Sequence, residues 1–140
     1  TRNNTPVLDF DAATDEAALW VDVLPIRYGG GGVTVEIDYA MTSATANAVV
    51  WAVQWEKIAG EAQDLDADGF ATAKTVTSTV SSTCGKVKRA SITFSDGAAM
   101  DSVGAGHSFR LKIYRDADNA ADDATGDAEL VVVHIKETPS

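Results

Sequence analysis

The sequence predicts an all-β protein, an antiparallel two-sheet β-sandwich of the jelly-roll type with about eight strands. The first supporting observation is the segment 47–58, where Val49, Trp51, Val53 and Trp55 alternate with other residues at the period of a strand. The second is the spacing of the strand-like segments, roughly a dozen residues apart with turn residues between them. We predict a jelly roll because, among eight-stranded sandwiches, this arrangement best protects its edge strands from pairing with other chains.

Composition and charge limit the function classes. The chain has 140 residues, of which 45% are apolar, which is enough for one domain with its own core. Its net charge of −10 repels nucleic-acid phosphates and anionic membrane surfaces, so we expect neither as a partner. The single cysteine, Cys84, rules out an intrachain disulfide and fits assembly in a reducing compartment. We also expect no membrane-spanning segment and no export signal.

The chain begins with a polar segment. Residues 1–6 contain no large apolar side chain and end in a proline, so we predict an N-terminal arm whose order depends on a neighbouring subunit. Residues 7–140 are expected to form a single β-sandwich domain. That domain opens with a short edge strand that includes Leu8 and Phe10.

The segment 15–25 fits both a helix and a strand, because its alanines suit a helix and its later residues suit a strand. Large apolar residues alternate with Trp20 and Asp22, and Pro25 ends the element, so we predict a strand. Trp20 is then expected to face outwards. The opposite face consists of Leu19, Val21 and Val23.

Four consecutive glycines follow at Gly29–Gly32. A glycine-rich loop binds phosphate when a Lys-Ser/Thr pair and a helix N-terminus come after it. Here a strand follows and that pair is missing, so we predict a flexible or tightly curved connection without a phosphate.

The remaining strands come after this loop. The strand at 33–41 has the clearest inward face, and the polar strand at 74–82 suits the edge of a sheet. In the strand at 47–58 we expect one buried face and one largely solvent-exposed face. The last strand, 128–136, is almost continuously apolar and is expected to be covered on both faces. The complete set is 33–41, 47–58, 74–82, 88–95, 108–115 and 128–136, with one helical turn expected within 98–103.

The acidic loop after the tryptophan-containing strand has the beginning of a calcium-binding pattern. Asp64, Asp66 and Asp68 alternate and are followed by a glycine, an arrangement that lets a short chain surround a hard cation with oxygen atoms. The pattern is incomplete, because Thr75 stands where a bidentate glutamate is needed. Calcium is therefore the one cofactor considered, and a solvated turn without an ion is the favoured alternative. A second acidic segment, 116–127, has irregular spacing and is a weaker candidate.

The sequence does not indicate catalytic chemistry. Two histidines and one cysteine are too few for a zinc site, and there is no Gly-x-Ser-x-Gly nucleophile motif. We therefore predict a non-enzymatic protein. Aromatic residues that face outwards are the candidate ligand or interface positions, because such rings bind sugars or pack against a neighbouring subunit. These candidates are Trp20, Tyr28 and Tyr114.

A set of aromatic and turn positions spread over most of the chain resembles a group of small tailed-phage virion proteins. The positions are Trp20 to Pro25 with Tyr28 and the glycines after it, Val50 and Trp51, Asp64 to Asp68, Ala105 and Gly106 before the segment from Phe109 to Asp116, and Asp127 to Leu130. They are positions of architecture and do not form an active-site motif, so no catalytic residue is carried over.

The resemblance implies a jelly-roll module on the surface of a virion that is assembled in the host cytoplasm. Such proteins are head decoration or stabilising subunits, or parts of a tail or fibre. They are generally symmetric homo-oligomers, and a trimer is the favoured state. The implied partners are further copies of the chain and the major capsid protein or another virion protein. The alternative is a carbohydrate- or receptor-binding module of a tail or fibre.

Overall fold

The computed structural model describes residues 1–139. Its strands form two antiparallel four-stranded sheets that pack as a sandwich, which confirms the predicted all-β sandwich. The helical content of the described residues is one 3-10 turn at Ala98–Met100, within the segment where the sequence predicts a turn. The strands are β1 (Leu8–Phe10), β2 (Ala17–Val23), β3 (Val33–Met41), β4 (Ala48–Lys57), β5 (Lys74–Thr79), β6 (Lys88–Phe94), β7 (Ser108–Arg115) and β8 (Ala128–Glu137).

The strand orders in the two sheets are β1-β8-β3-β6 and β2-β7-β4-β5. Strands that are distant in sequence lie side by side. β1 pairs with β8, β2 with β7, β3 with β6 and β4 with β5, always antiparallel. The edge strands β1 and β2 consequently lie at one side of the sandwich, and β5 and β6 lie at the other.

Strand β4 forms the centre of the core, as its alternation predicts. The side chains of Trp51 and Trp55 are fully buried. Trp51 meets Phe10 and Tyr39 edge-on, with ring centroids 5.2 and 5.5 Å apart, and so joins β4 to two strands of the facing sheet. Aromatic pairs of this kind add about 0.5–1.5 kcal/mol to the stabilisation from buried area. The core therefore forms around the tryptophan-containing strand.

The second face of β4 is also buried, so the expectation that it is largely solvent-exposed is wrong. Val50, Ala52 and Glu56 are at most 1% exposed. The loop after β7 is hydrogen-bonded to this strand, since the Val50 N–H donates to Asp122 Oδ2 at 2.9 Å. The loop before β5 bonds it as well, because the side-chain amide of Gln54 donates to the main chain of that loop. Alternation within one strand does not reveal the loops that cover it.

Strand β8 is less covered than its apolar sequence predicts. Its first residues are buried, but Val132 is 41% exposed, and the residues around it are half-buried. The cause is the short length of β1, which pairs with residues 128–130 and leaves residues 131–137 without a neighbour on that side. The expectation that β8 is covered on both faces is therefore wrong for most of its length.

The N-terminal arm folds back on its own domain. Arg2 and Thr5 exchange backbone hydrogen bonds of 2.9 and 2.8 Å around a turn at residues 3–4, where both asparagines have positive φ angles. The Arg2 guanidinium donates to the carbonyl oxygen of Met41 at 3.0 Å and pairs with the Glu129 carboxylate. The arm is thus ordered by contacts within the chain, contrary to the expectation that it needs a neighbouring subunit.

The four-glycine loop passes close to two other backbone segments. A Cβ atom on Gly31 would lie 2.2 Å from the carbonyl oxygen of Thr138, and a Cβ atom on Gly32 would lie 2.3 Å from that of Phe94. Gly32 also has a φ angle of +85°, which favours glycine. The loop is the tightly curved connection that the sequence predicts.

Candidate functional site

The side of the sandwich formed by β1 and β2 is incompletely closed. Because β1 is short, residues 131–137 of β8 have no strand beside them there. A groove of about 360 Å³ lies between the two sheets at this side. Its lining is mainly apolar and includes Leu8, Trp20, Phe109, Leu111, Val133 and Ile135. We refer to β2, this groove and residues 131–137 together as the open edge.

Large apolar side chains are exposed along this side of the sandwich, beside the groove and on the outer faces of both sheets. Of the eight large apolar residues that are strongly exposed in the described part of the chain, six lie at or beside the open edge. These six, which we name the apolar strip, are Leu8, Leu19, Val21, Val23, Ile26 and Val132. Single exposed apolar residues are common, but a group of them along one edge is typical of an interaction site.

The two faces of β2 are reversed relative to the sequence prediction. In the pairing with β7, Trp20 lies opposite Leu111, which points into the core, so Trp20 points inwards and lines the groove. Leu19 and Val21 point to solvent and are 54% and 67% exposed. Alternation separates the two faces of a strand, but it does not say which one is buried when both contain large apolar residues. The assignment of Trp20 to the outer surface is therefore wrong.

The backbone of β2 is unpaired on its outer side. The Leu24 N–H donates to the carbonyl oxygen of His107, which immediately precedes β7, at 2.9 Å. Hydrogen bonding alternates along an antiparallel strand, so the N–H and C=O groups of Asp22 also face β7, and those of Leu19 and Val21 face away from it. An edge with unpaired backbone groups and apolar side chains is a template for pairing with another strand.

Tyr28 is a structural residue of the glycine loop, so the expectation that it faces outwards is wrong. The side chain is buried; its hydroxyl donates to Asp96 Oδ1 at 2.8 Å and accepts from the N–H of Gly32 at 2.8 Å. Burial, followed by the hydrogen bond with Asp96, raises the pKa of Tyr28. This tyrosine therefore holds the loop in place and presents little surface to a ligand.

Tyr114 lies on the outer face of the second sheet, as predicted, in a surface that combines rings and cations. Lys112 Nζ lies 5.1 Å from the centre of the Tyr114 ring and 5.8 Å from that of Phe70. The Arg110 guanidinium lies 4.9 Å from the Phe70 ring, and its Nε donates to buried Glu56 Oε2 at 2.6 Å. Phe70 belongs to the loop between β4 and β5, where no strand alternation marks a side chain as outward-facing. The three candidate aromatic residues consequently lie in three separate places.

Two aspartates of the acidic loop, Asp64 and Asp68, accept hydrogen bonds from main-chain N–H groups of their own turn. Asp68 Oδ2 accepts hydrogen bonds from the Asp64 N–H at 2.7 Å and from the Gln63 side chain at 3.0 Å. Asp64 Oδ1 accepts one from the Asp66 N–H at 3.0 Å. The hydrogen bond from the Asp64 N–H lowers the pKa of Asp68. In residues 1–139 no group of three or more His, Cys, Asp or Glu side chains is arranged to hold a metal ion.

Calcium at constant ionic strength is expected to leave the melting temperature unchanged. In a solvated turn, Asp66→Asn is neutral or slightly stabilising, because it relieves repulsion between neighbouring carboxylates. If the loop bound the ion, calcium would raise the melting temperature by mass action, and Asp66→Asn would abolish that rise. Thermal melts of both proteins with and without calcium distinguish these results. A calcium-dependent rise confined to the parent would contradict the solvated turn.

The second acidic segment is attached to the core by a buried ion pair. Arg115 is fully buried at the end of β7, and its guanidinium donates to the Asp122 carboxylate at 2.6 and 3.0 Å. It also donates to the carbonyl oxygens of Ala124 and Gly126 at 2.7 and 2.8 Å. Asp122 is thus the counter-ion of Arg115, and the pair holds this loop against the sheet.

Charged residues of three strands form a network on the outer face of the first sheet. Arg89 of β6 donates to both carboxylate oxygens of Asp38 on β3, at 2.6 and 2.8 Å. His134 Nε2 on β8 lies 3.3 Å from Asp38, and Lys136 Nζ donates to Glu36 at 2.9 Å. The hydrogen bonds from Arg89 lower the pKa of Asp38, and the bond from Lys136 lowers the pKa of Glu36.

This network predicts a loss of stability in acid. A carboxyl group whose pKa is lowered by folding stabilises the protein above its unfolded-state pKa, and this stabilisation is lost as the pH falls through the folded-state pKa. We expect the loss below about pH 4. Asp38→Asn should cost about 1 kcal/mol at neutral pH, the upper range for exposed pairs, and should make the acid-induced loss smaller.

Urea unfolding at neutral pH and at about pH 3 measures this difference. Asp118→Asn is the matched control, because Asp118 is an exposed aspartate outside the network. An Asp38→Asn variant whose pH dependence equals that of the parent would show that the network does not stabilise the sheet.

No protein-family model matches this chain, and no curated protein matches it significantly. Within the part of the chain that the structure describes, no helix is both long and apolar enough to cross a membrane. The open edge combines a groove, exposed apolar side chains and unpaired backbone groups in one place. It is therefore the candidate interaction site of this protein.

Proposed function

We propose that this protein is a non-enzymatic structural subunit of a virion, a capsid decoration or stabilising protein that contacts its neighbours through the open edge. The observation that carries the proposal is the apolar strip, whose six side chains are each at least 41% exposed beside an unpaired strand edge. A protein that stays solitary generally covers or charges such an edge, whereas an assembled protein buries it in a contact.

The charge distribution supports an assembly role for this edge. The net charge of −10 makes most of the surface repel another copy or any acidic protein. The side chains on the outer face of β2 are uncharged: Ala17, Leu19, Val21 and Val23. An approaching protein therefore meets little repulsion there, while burial of apolar surface stabilises the contact by roughly 25 cal/mol per Å².

The particle context is supported by the resemblance to tailed-phage virion proteins. We interpret the pairing of β1 with β8, β2 with β7, β3 with β6 and β4 with β5 as a jelly roll, the architecture that the resemblance implies. On this proposal the partners are further copies of the chain and the major capsid protein or another virion protein. Assembly takes place in the host cytoplasm and the finished subunit lies on the virion surface.

The composition of purified particles tests the proposal. Mass spectrometry of particles from cells that produce the protein should find it at a fixed ratio to the major capsid protein, and labelled antibodies should detect it on the particle surface. Val132→Lys should lower that ratio, because it places a charge on the exposed part of β8 beside the groove. Leu65→Lys, at a more exposed apolar residue outside the open edge, should not. A protein that never purifies with particles would contradict the proposal.

A second candidate function is carbohydrate or receptor binding. The surface around Tyr114 favours it, because rings beside cationic hydrogen-bond donors suit stacking and hydrogen bonding with a sugar. Glycan arrays with the parent and with Tyr114→Ala, each with and without a calcium chelator, test this candidate. Binding that Tyr114→Ala abolishes would establish it, and a blank array would leave the structural role alone.

A further inference from the structure

We infer that β2 pairs with β2 of a second copy of this chain in antiparallel orientation, so that two four-stranded sheets join across a two-fold axis. The inference rests on the proposed function only in treating the open edge as an interface between proteins. The partner is a second copy whether or not the protein also lies on a particle.

The strand can pair with itself over its full length. Residues 17–23 overlap completely with those of a second copy when Trp20 lies opposite Trp20 of that copy. Leu19 then lies opposite Val21 of the second copy, and Val21 lies opposite its Leu19. The N–H and C=O groups of these residues face away from β7, so they are free to exchange hydrogen bonds across the axis. An isologous contact of this kind needs one self-complementary surface and closes after two copies.

The side chains also fit this arrangement. On the inner face, Trp20 meets its counterpart beside the groove, and the two rings extend the apolar lining across the axis. Asp22 is the single charged residue of β2 and lies opposite Ala18 of the second copy, so no like charges face each other directly. The Asp22 carboxylate accepts the N–H of Val23 at 2.7 Å, so this N–H has to leave Asp22 before it can donate to Ala17 of the second copy, and the central hydrogen bonds are those of Leu19 and Val21.

The other edge strands are less suited to a second copy. β5, the opposite edge of the same sheet, begins with Lys74 and consists mainly of serine and threonine. β6 begins with Lys88 and Arg89, and β1 is only 3 residues long. Cationic side chains and short length protect edge strands from pairing. β2 has neither protection, and its pairing places the outer-face residues of the apolar strip side by side with those of the second copy.

Sedimentation velocity over a concentration series tests the inference. The parent should show a monomer–dimer equilibrium that shifts towards the dimer as salt rises, because salt screens the repulsion between two acidic copies. Val21→Lys should raise the dissociation constant by at least about tenfold, since it places two ammonium groups in the paired outer face. Leu65→Lys makes the same charge change at a residue that is 66% exposed outside the open edge and should leave the constant unchanged.

Circular dichroism melts establish that each variant folds, and Leu19→Lys is the second variant on the same face. A monomer at every concentration, the trimer that the resemblance favours, or a dimer that both lysine variants leave intact would overturn the inference. Particle incorporation separates it from the proposed function. A β2 dimer that never purifies with particles would contradict the virion role alone, and a particle-bound protein without the dimer would contradict this pairing alone.

Discussion

Asp122→Ala is expected to destabilise the protein by about 3–5 kcal/mol, the range for removing one partner of a buried ion pair. The Arg115 guanidinium is fully buried and loses its counter-ion in this variant. The carbonyl oxygens of Ala124 and Gly126 stay in contact with it but cannot neutralise the charge. Asp122 also accepts the N–H of Val50, so its removal releases the loop from β4. Urea unfolding, monitored by circular dichroism, measures the decrease in the free energy of unfolding.

Asp118→Ala is the matched control, since Asp118 is an exposed aspartate of the same loop. It should change the free energy of unfolding by no more than about 0.5 kcal/mol. Equal stability of the Asp122→Ala and Asp118→Ala variants would mean that the buried pair does not attach the loop to the core.

Trp51→Ala is expected to cost about 3–5 kcal/mol through lost burial and the cavity that remains. The side chain is fully buried and packs edge-on against Phe10 and Tyr39, so its removal weakens the contact between the two sheets. Unfolding should be followed by circular dichroism, because the variant lacks one of the 3 tryptophans that dominate fluorescence.

Trp51→Phe is the control, because phenylalanine keeps an aromatic ring at the same position and leaves a smaller cavity. The decrease in its free energy of unfolding should be clearly smaller than that of Trp51→Ala. If Trp51→Ala lowers the free energy of unfolding by less than about 1 kcal/mol, this residue does not have a central place in the core.

The sequence predicts the strands of this fold well where one face is clearly more apolar than the other. In β3 and β7 the inward residues are those that alternation selects, including Ile37 and Leu111. The prediction fails for β2, where Trp20 and Leu19 are both large and apolar and the pattern does not say which of them faces the core. It fails for β4 because distant loops cover the outer face, and no pattern within a strand records such contacts.

The open edge could not be predicted for a related reason. Its existence depends on β1 pairing with only residues 128–130, because the residues before Leu8 do not continue that pairing along β8. The sequence shows that residues 131–133 and Ile135 are apolar, but not that a strand is missing beside them. The sequence predicts the outward position of Tyr114 because this residue alternates with the inward-facing Ile113. Tyr28 is buried through a contact with Asp96, and no local pattern records a contact between residues so far apart in sequence.

Amide hydrogen exchange along β2 tests the claim that this protein meets its neighbour through β2 at the open edge. In the associated protein, the amides of Leu19 and Val21 should exchange at least about tenfold more slowly than in dilute protein or in Val21→Lys, because pairing hydrogen-bonds them. The outward amides of the other edge strand, at Thr75 and Thr77, should exchange at the same rate in all samples. Unchanged exchange at Leu19 and Val21 in associated protein would contradict the claim.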